Sequence, residues 1–218
     1  TMNVLEYMRK HDVKKMVFAS SGGTVYGDVE DFPITESTVL NPISPYGASK
    51  AAAEMYLSAY AYAYGMKFAS VRYANIFGER SRHGVGWDFY HKLKDDPTEL
   101  TILGNGEQQK SYLHVSDCVE ATMTVGVSLD DQEKPYDYYN VGSEDWHTVK
   151  EIARIYEKEL GLDSVEHKFT GGDRGWTGDV KKTLLSVEKI KSLGFQPQIS
   201  YEEGVHLYCD WIESLESE

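Results

Sequence analysis

One sequence feature constrains the fold most. A short apolar run ends at two serines, and an alanine-rich helix that begins with a tyrosine and a lysine follows it. Residues 15–20 (KMVFAS) indicate a buried strand, because they form a continuous apolar run of strand length. Residues 46–64 have high helix propensity, and Gly65 stands where a helix C-cap belongs. A strand, a loop over residues 28–44 and a helix in this order predict a βα unit of a parallel sheet.

The rest of the chain repeats this alternation. Apolar periodicity predicts further helices at residues 2–10, 85–94, 117–127 and 148–160, and further strands at residues 66–73, 100–103, 111–115 and 138–141. Turns are expected at residues 75–78 and 104–106, where asparagine and glycine cluster. We therefore expect an α/β protein with a parallel sheet through about residue 130 and a smaller mixed lobe behind it.

Composition excludes several classes of function. The net charge of −13 argues against nucleic-acid binding, which needs clustered cations to displace counterions. No apolar run approaches the roughly 18–20 residues of a membrane span, and no secretory signal pattern is seen. Cys118 and Cys209 have no partner pattern, so we expect core thiols and a cytoplasmic protein. The seven histidines lack metal-ligand spacing, so no metal site is predicted.

Tyr46 and Lys50 are candidate chemical groups because residues four apart share one face of a helix. A neighbouring ammonium favours the phenolate form of a tyrosine, which can then take a proton from an alcohol. Ser21 could pass on that proton or hold the developing alkoxide. The same spacing recurs at Tyr90 and Lys94, in a charged stretch that we interpret as an exposed helix. Only the first pair follows a strand that ends in hydroxyls.

Several ordered motifs together resemble one family. In chain order they are SSGGTVYG (20–27), SPYGASK (44–50), VRYANIFGER (71–80), GNGEQQKSYLHVSD (104–117), YNVG (139–142), GGDRGWTGDV (171–180) and LGFQP (193–197). The chain is similar over essentially its whole length to extended short-chain dehydrogenases/reductases, and specifically to NAD-dependent nucleotide-sugar epimerases/dehydratases of the UDP-glucose 4-epimerase kind. The resemblance implies the C-terminal portion of a doubly wound, Rossmann-type sheet. Residues 1–80 would form a partial dinucleotide-binding domain and residues 81–218 mainly a substrate lobe, with residues 107–142 returning to the sheet.

The resemblance also implies roles for the residues of the first motifs. Tyr46 would be the acid/base, Lys50 would bind the nicotinamide ribose of NAD, and a hydroxyl near position 21 would assist. Alignment on Val-Tyr-Gly places Gly22 where many members carry that hydroxyl, whereas counting back from Tyr46 favours Ser21. We take Ser21 as the candidate and keep Ser20 and Thr24 as neighbours.

Other positions would contact cofactor or substrate. The cofactor set is Ser20, Tyr46, Lys50 and Tyr73, and the set for a nucleotide-diphosphate sugar such as a UDP-hexose is Thr24, Asn75, Lys110 and Arg174. Lys110 stands where relatives usually have arginine, which replaces a bidentate fork with a point charge. The simpler interpretation makes these residues surface cations or a turn-capping amide, and Tyr73 a core residue. Trp87 and Trp176 could pack a base or sugar, while His114 and Asp117 are expected to be structural.

The residues after Ser21 separate the reactions of the family. Dehydratases carry an Asp-Glu pair there, because loss of water needs an acid and a base, and decarboxylating relatives carry a glutamate. This chain has Gly22 and Gly23, which favours epimerisation. Simple oxidoreduction and a non-catalytic interaction module remain the alternatives.

The glycine-rich dinucleotide fingerprint G-x-G-x-x-G does not occur in the sequence. In the family it precedes the region equivalent to this chain, so we expect a fragment or a reading frame that starts late. Three further expectations follow: weak binding of NAD by this chain alone, an exposed sheet edge, and a homodimer formed through helices 2–10 and 46–64.

Overall fold

The computed structural model describes residues 1–176 and 178–216. The helices are α1 (Met2–Lys10), α2 (Gly22–Val25), α3 (Pro45–Tyr64), α4 (Val85–Asp95), α5 (Val115–Ser128), α6 (Val149–Glu159), α7 (Glu188–Lys191) and α8 (Tyr201–Glu216). The strands are β1 (Lys15–Ser21), β2 (Lys67–Tyr73), β3 (Asn75–Phe77), β4 (Glu99–Ile102), β5 (Gln109–Lys110), β6 (Tyr112–His114), β7 (Tyr136–Val141), β8 (His147–Thr148), β9 (Glu166–Phe169) and β10 (Lys182–Thr183).

A parallel sheet of order β1-β2-β7 organises the first part of the molecule. Strand β2 is buried at its five inner positions, because helices cover both faces of a parallel sheet. Its register places Ser21, Tyr73 and Val141 side by side at the carboxyl ends of the three strands. Ligands of open α/β sheets bind at this edge. The predicted α/β class is confirmed.

Strand β1 has a strand neighbour on one side only. It pairs with β2, and no other strand of the described part of the chain pairs with its second side. Only Ser20 of its seven residues is buried. A row of backbone N–H and C=O groups therefore lacks a ladder partner along β1.

Local sequence signals fix the ends of α3. Pro45 occupies its first turn, and the Ser44 side chain accepts a hydrogen bond from the Gly47 N–H at 3.1 Å. At the other end Gly65 adopts the left-handed conformation, with φ 63°. This helix packs against α1 and the sheet through a core that includes Leu5 and Leu57. The predicted helix is confirmed, one residue longer at its start.

The second part combines small sheets with helices α4, α6 and α8. Its strands form the pairs β3–β6 and β4–β9 and the three-stranded sheet β10-β5-β8. A core with Leu93, Ile152, Val205 and Ile212 joins the three helices. The expected turn at residues 75–78 was wrong: Asn75–Phe77 is a strand, because it gains a ladder with β6 that local sequence does not reveal.

Three other properties of the described residues bear on function. No helix among them is long and apolar enough to cross a membrane. No group of three potential metal ligands occurs within residues 1–176 and 178–216. Cys118 is half-buried and Cys209 is buried, and neither forms a disulfide.

Candidate active site

Ser21 and Tyr46 face one cavity of about 770 Å³. Ser21 ends β1, while Tyr46 lies in the first turn of α3, so a strand end and a helix start meet there. Tyr46 is 53% exposed, which leaves its phenol accessible. Thr24, Asn75 and Lys110 line the same cavity. Five of the predicted site residues, from four motifs, thus line one cavity.

Lys50 lies beside Tyr46, as the helical spacing predicted. Its Nζ is 5.6 Å from the centroid of the Tyr46 ring and donates a hydrogen bond to the Ala19 carbonyl oxygen at 2.8 Å. That carbonyl belongs to β1, two residues before Ser21. An ammonium group has three donors, so two remain for a ligand.

The second Tyr–Lys pair has nearly the same internal geometry but a different place in the fold. Lys94 Nζ lies 5.4 Å from the centroid of the Tyr90 ring. Tyr90 is completely buried in the core of the second part and is not among the residues that line the cavity. The expected exposed helix face was therefore wrong for Tyr90. Spacing alone does not define the site: Tyr46 lines the cavity and Tyr90 does not, while neither Lys50 nor Lys94 is among the lining residues.

The structure leaves no room for a side chain at position 22. A Cβ on Gly22 would lie 2.5 Å from Leu185 Cδ1 and 3.0 Å from the Arg72 carbonyl oxygen, whereas a Cβ on Gly23 would meet only Thr183, at 3.7 Å. Asp88 and Asp179 are the carboxylates that line the described cavity. Each is paired with a lysine, Asp88 with Lys92 at 2.7 Å and Asp179 with Lys110. The acid–base pair that a dehydration needs is absent from the described residues around Ser21.

Two residues of the expected cofactor set point away from the cavity. Ser20 is buried and donates to Glu54 Oε1 at 2.5 Å. The Tyr73 hydroxyl lies 2.6 Å from Thr122 Oγ1 on α5, and burial raises the pKa of Tyr73. Successive side chains of a strand point to opposite faces, so Tyr73 points away from the cavity while the next residue, Ala74, lines it. The roles of Ser20 and Tyr73 in cofactor binding stay predictions.

The expected substrate residues differ in their surroundings. Asn75 Nδ2 donates to the Ser111 carbonyl oxygen at a long 3.4 Å. Lys110 is 20% exposed and forms an ion pair with the almost fully buried Asp179. Arg174 does not line the cavity, although its neighbours Gly175 and Trp176 do. Its guanidinium is engaged by Asp28, with Nη2 2.6 Å from Oδ2.

Three cavity-lining residues carry buried polar atoms with no hydrogen-bond partner among the described residues. They are Thr24 Oγ1, Gln108 Oε1 and the Tyr156 hydroxyl. Such a group costs about 1–3 kcal/mol when it stays unpaired, so these atoms suit a polar ligand. Gln108 lies inside the GNGEQQKSY motif and could have been found from it. Tyr156 could not, because its position on an amphipathic helix indicates only a core residue.

The remaining candidates divide between cavity and scaffold. Trp87 and Trp176 line the cavity, and Trp176 is 55% exposed. His114 caps the start of α5. The buried Asp117 accepts the N–H groups of Gln198 and Ile199, both at 3.0 Å. The structural roles expected for His114 and Asp117 are confirmed.

Comparison with known proteins agrees with this arrangement. Residues 1–142 match the model of the NAD dependent epimerase/dehydratase family. A UDP-galactose 4-epimerase structure is 39% identical, with TM-score 0.87 over 98% of this chain and 68% of that chain. A Thermotoga maritima UDP-glucose 4-epimerase solved with UDP-glucose is 32% identical, with TM-score 0.88 over 99% of this chain and 68% of that one.

A third solved structure carries the dinucleotide. The Thermus thermophilus UDP-glucose 4-epimerase in complex with NAD is 33% identical, with TM-score 0.84 over 97% of this chain and 68% of that one. The chain thus spans about two thirds of the length of these structures. The family match and the similarity to these structures show that the chain belongs to the NAD dependent epimerase/dehydratase family.

Proposed function

We propose that the site catalyses NAD-dependent epimerisation of a nucleotide-diphosphate sugar, of the UDP-glucose/UDP-galactose type. One observation carries the proposal: the Tyr46 phenol and the Ser21 hydroxyl share a cavity, with Lys50 against the Tyr46 ring. Gly22 and Gly23 supply no carboxylate beside Ser21, which supports epimerisation over dehydration. The similar UDP-glucose and UDP-galactose 4-epimerases supply the substrate type.

The residues present suit the nicotinamide end of NAD. Lys50 keeps two donors for ribose hydroxyls, and no hydrogen-bond partner of the Tyr46 phenol is found among the described residues. When bound, NAD would accept and return a hydride at the sugar carbon. No glycine-rich loop for its pyrophosphate occurs in this sequence.

The protein groups would move the proton. Tyr46 would take the proton of the reacting sugar hydroxyl and later give it back, and Ser21 would hold the oxygen as charge develops on it. The Lys50 ammonium would stabilise the phenolate by Coulomb attraction. The cavity of about 770 Å³ lies within the usual range for small-molecule sites, and the unpaired Thr24 hydroxyl offers a contact to the sugar.

The substrate and cofactor contacts are part of the proposal. Asn75 would bind the sugar nucleotide, and Lys110 and Arg174 would bind its diphosphate, because ionised donors form the stronger hydrogen bonds to phosphate. The division into a cofactor-binding part, residues 1–80 with 107–142, and a substrate lobe is supported by β7, which pairs with β2 of the parallel sheet.

The test is the interconversion of UDP-galactose and UDP-glucose by the protein with added NAD. Tyr46→Phe should lower kcat by about 10²- to 10⁴-fold, the usual contribution of general acid–base catalysis. Tyr90→Phe is the matched control, because it alters the Tyr–Lys pair that lies outside the cavity, and it should keep activity. Unchanged turnover in Tyr46→Phe would contradict the proposal. Stoichiometric accumulation of NADH would indicate an oxidoreductase instead.

We also propose a homodimer through α1 and α3. These helices pack together and expose apolar and aromatic side chains, namely Met2, Val4, Tyr7, Met55, Tyr56, Tyr62 and Tyr64. Exposed apolar patches of this kind mark interaction surfaces. Sedimentation at several protein concentrations measures the mass, and a monomer throughout would contradict this proposal.

A further inference from the structure

The two cationic residues expected to bind the diphosphate, Arg174 and Lys110, each form an ion pair with a carboxylate of the same chain. Arg174 binds the Asp28 side chain through two contacts, Nη2 to Oδ2 at 2.6 Å and Nη1 to Oδ1 at 3.4 Å. Lys110 binds Asp179, whose other carboxylate oxygen accepts the Gly175 N–H at 3.1 Å. Carboxylates thus take the donors that an anionic ligand would use.

The two pairs differ in accessibility. Asp179 is only 6% exposed, so it belongs to the scaffold of the segment after Arg174. Asp28 is 42% exposed and Arg174 is 29% exposed, so a ligand can reach their pair from solvent. The guanidinium holds the pKa of Asp28 below its usual value, and Asp28 therefore stays ionised at neutral pH.

Asp28 and a phosphate would compete for the same two N–H donors of Arg174. A guanidinium binds carboxylate or phosphate by presenting two parallel N–H donors, and Asp28 contacts Arg174 through both Nη1 and Nη2. Nη1 also donates a hydrogen bond to the Asp179 backbone carbonyl oxygen, which holds the guanidinium against the chain segment that contains Arg174. A phosphate that takes this face must displace the Asp28 carboxylate.

We propose that Asp28 is an internal competitor of the diphosphate: it occupies Arg174 in the free protein and is displaced when the nucleotide-diphosphate part of the ligand binds. This proposal rests on the proposed function, because it takes Arg174 as a diphosphate contact. Asp28 follows α2, whereas Arg174 lies 146 residues later in the segment 171–179. Displacement therefore releases a link between the part that carries Ser21 and the part that carries Lys110.

The expected effect is a gain in affinity. Solvent screening weakens an exposed ion pair, so its removal should tighten binding by only about two- to fivefold. Titration calorimetry with UDP as the probe would compare the unaltered protein with Asp28→Asn. The matched control is Asp173→Asn, which removes the same charge from the residue beside Arg174. Asp173 is paired with Lys181; it attracts the Arg174 guanidinium through space, but no hydrogen bond joins the two side chains among the described residues.

The outcomes separate the two proposals. Tighter UDP binding in Asp28→Asn but not in Asp173→Asn supports Asp28 as a competitor, and loss of that gain when Arg174→Gln is added supports it further. Equal gains in both variants would show a general charge effect and overturn the inference, as would no gain in Asp28→Asn. If the unaltered protein binds no UDP, the proposed function fails as well.

Discussion

The buried ion pair of Glu54 and Arg72 should make α3 the most sensitive element of the fold to the loss of one charge. Glu54 is fully buried and the Arg72 side chain is 4% exposed, with Arg72 Nη2 2.6 Å from Glu54 Oε2. The Ser20 and Tyr136 hydroxyls also donate to this carboxylate. Glu54→Gln keeps the shape of the side chain but removes its charge and places an NH₂ group among donors.

The magnitude follows from burial. Removal of one partner of a buried ion pair costs about 3–5 kcal/mol, because the other charge stays desolvated and unpaired. A domain has only about 5–15 kcal/mol of stability, so the variant should lose a large part of it. With a urea slope of about 2–3 kcal/mol/M, the unfolding midpoint should fall by about 1–2.5 M.

Glu6→Gln is the matched control. Glu6 accepts hydrogen bonds from the Arg9 guanidinium, at 2.9–3.3 Å, and from the Tyr60 hydroxyl, but its side chain is 38% exposed. Solvent screens an exposed pair and keeps the remaining charge hydrated, so this substitution should shift the midpoint little. Urea unfolding followed by circular dichroism measures both variants. Equal destabilisation by Glu54→Gln and Glu6→Gln would refute the argument from burial.

Two further predictions concern packing and pH. A Cβ on Gly86 would clash with the Tyr156 hydroxyl, so Gly86→Ala should lower the stability by about 1–3 kcal/mol. A Cβ on Gly126, within α5, would make only an ordinary contact with Val17 Cγ2 at 3.8 Å, so Gly126→Ala should raise the stability by about 0.5–1 kcal/mol. Thermal unfolding measures both, and shifts of the same sign would contradict the prediction. The hydrogen bond to Asp145 raises the pKa of His147 from 6.5 and lowers that of Asp145 from 3.8. The protonated form of His147 therefore stabilises the fold below pH 6.5, and this stabilisation is lost as the pH rises through the folded-state pKa of His147. The Asp145 carboxylate stabilises the fold above pH 3.8, and this stabilisation is lost as the pH falls through the folded-state pKa of Asp145. The unaltered protein and His147→Gln should thus differ in melting temperature between about pH 4 and 6.5 and converge at pH 9, and a constant difference would disprove this pair as the cause.

The sequence was sufficient for the helices and the central strands because their signals are local. The alanine-rich run and Gly65 specify α3, and the apolar run before Ser21 specifies β1. Asn75–Phe77 was missed as a strand because its ladder partner, Tyr112–His114, lies more than thirty residues further along the chain. Local propensity at an Asn-containing tripeptide carries no sign of that pairing.

The candidate site was partly predictable for the same reason. Tyr46 and Lys50 share a face by helical geometry alone, and the structure confirms it. The partners of Arg174 and Ser20 were not predictable, because Asp28 and Glu54 are distant in sequence and become neighbours only through the fold. The burial of Tyr90 was not predicted, because the charged residues around it in the sequence indicated an exposed helix.

Strand β1, which pairs with β2 on one side only, carries two residues of the candidate site or their contacts. Ser21 is the last residue of that strand, and Lys50 reaches the Ala19 carbonyl of the same strand. Backbone amides on the free side should exchange with deuterium faster than those facing β2. Any strand that pairs with the free side of β1 would therefore border Ser21, the residue that we propose holds the sugar oxygen.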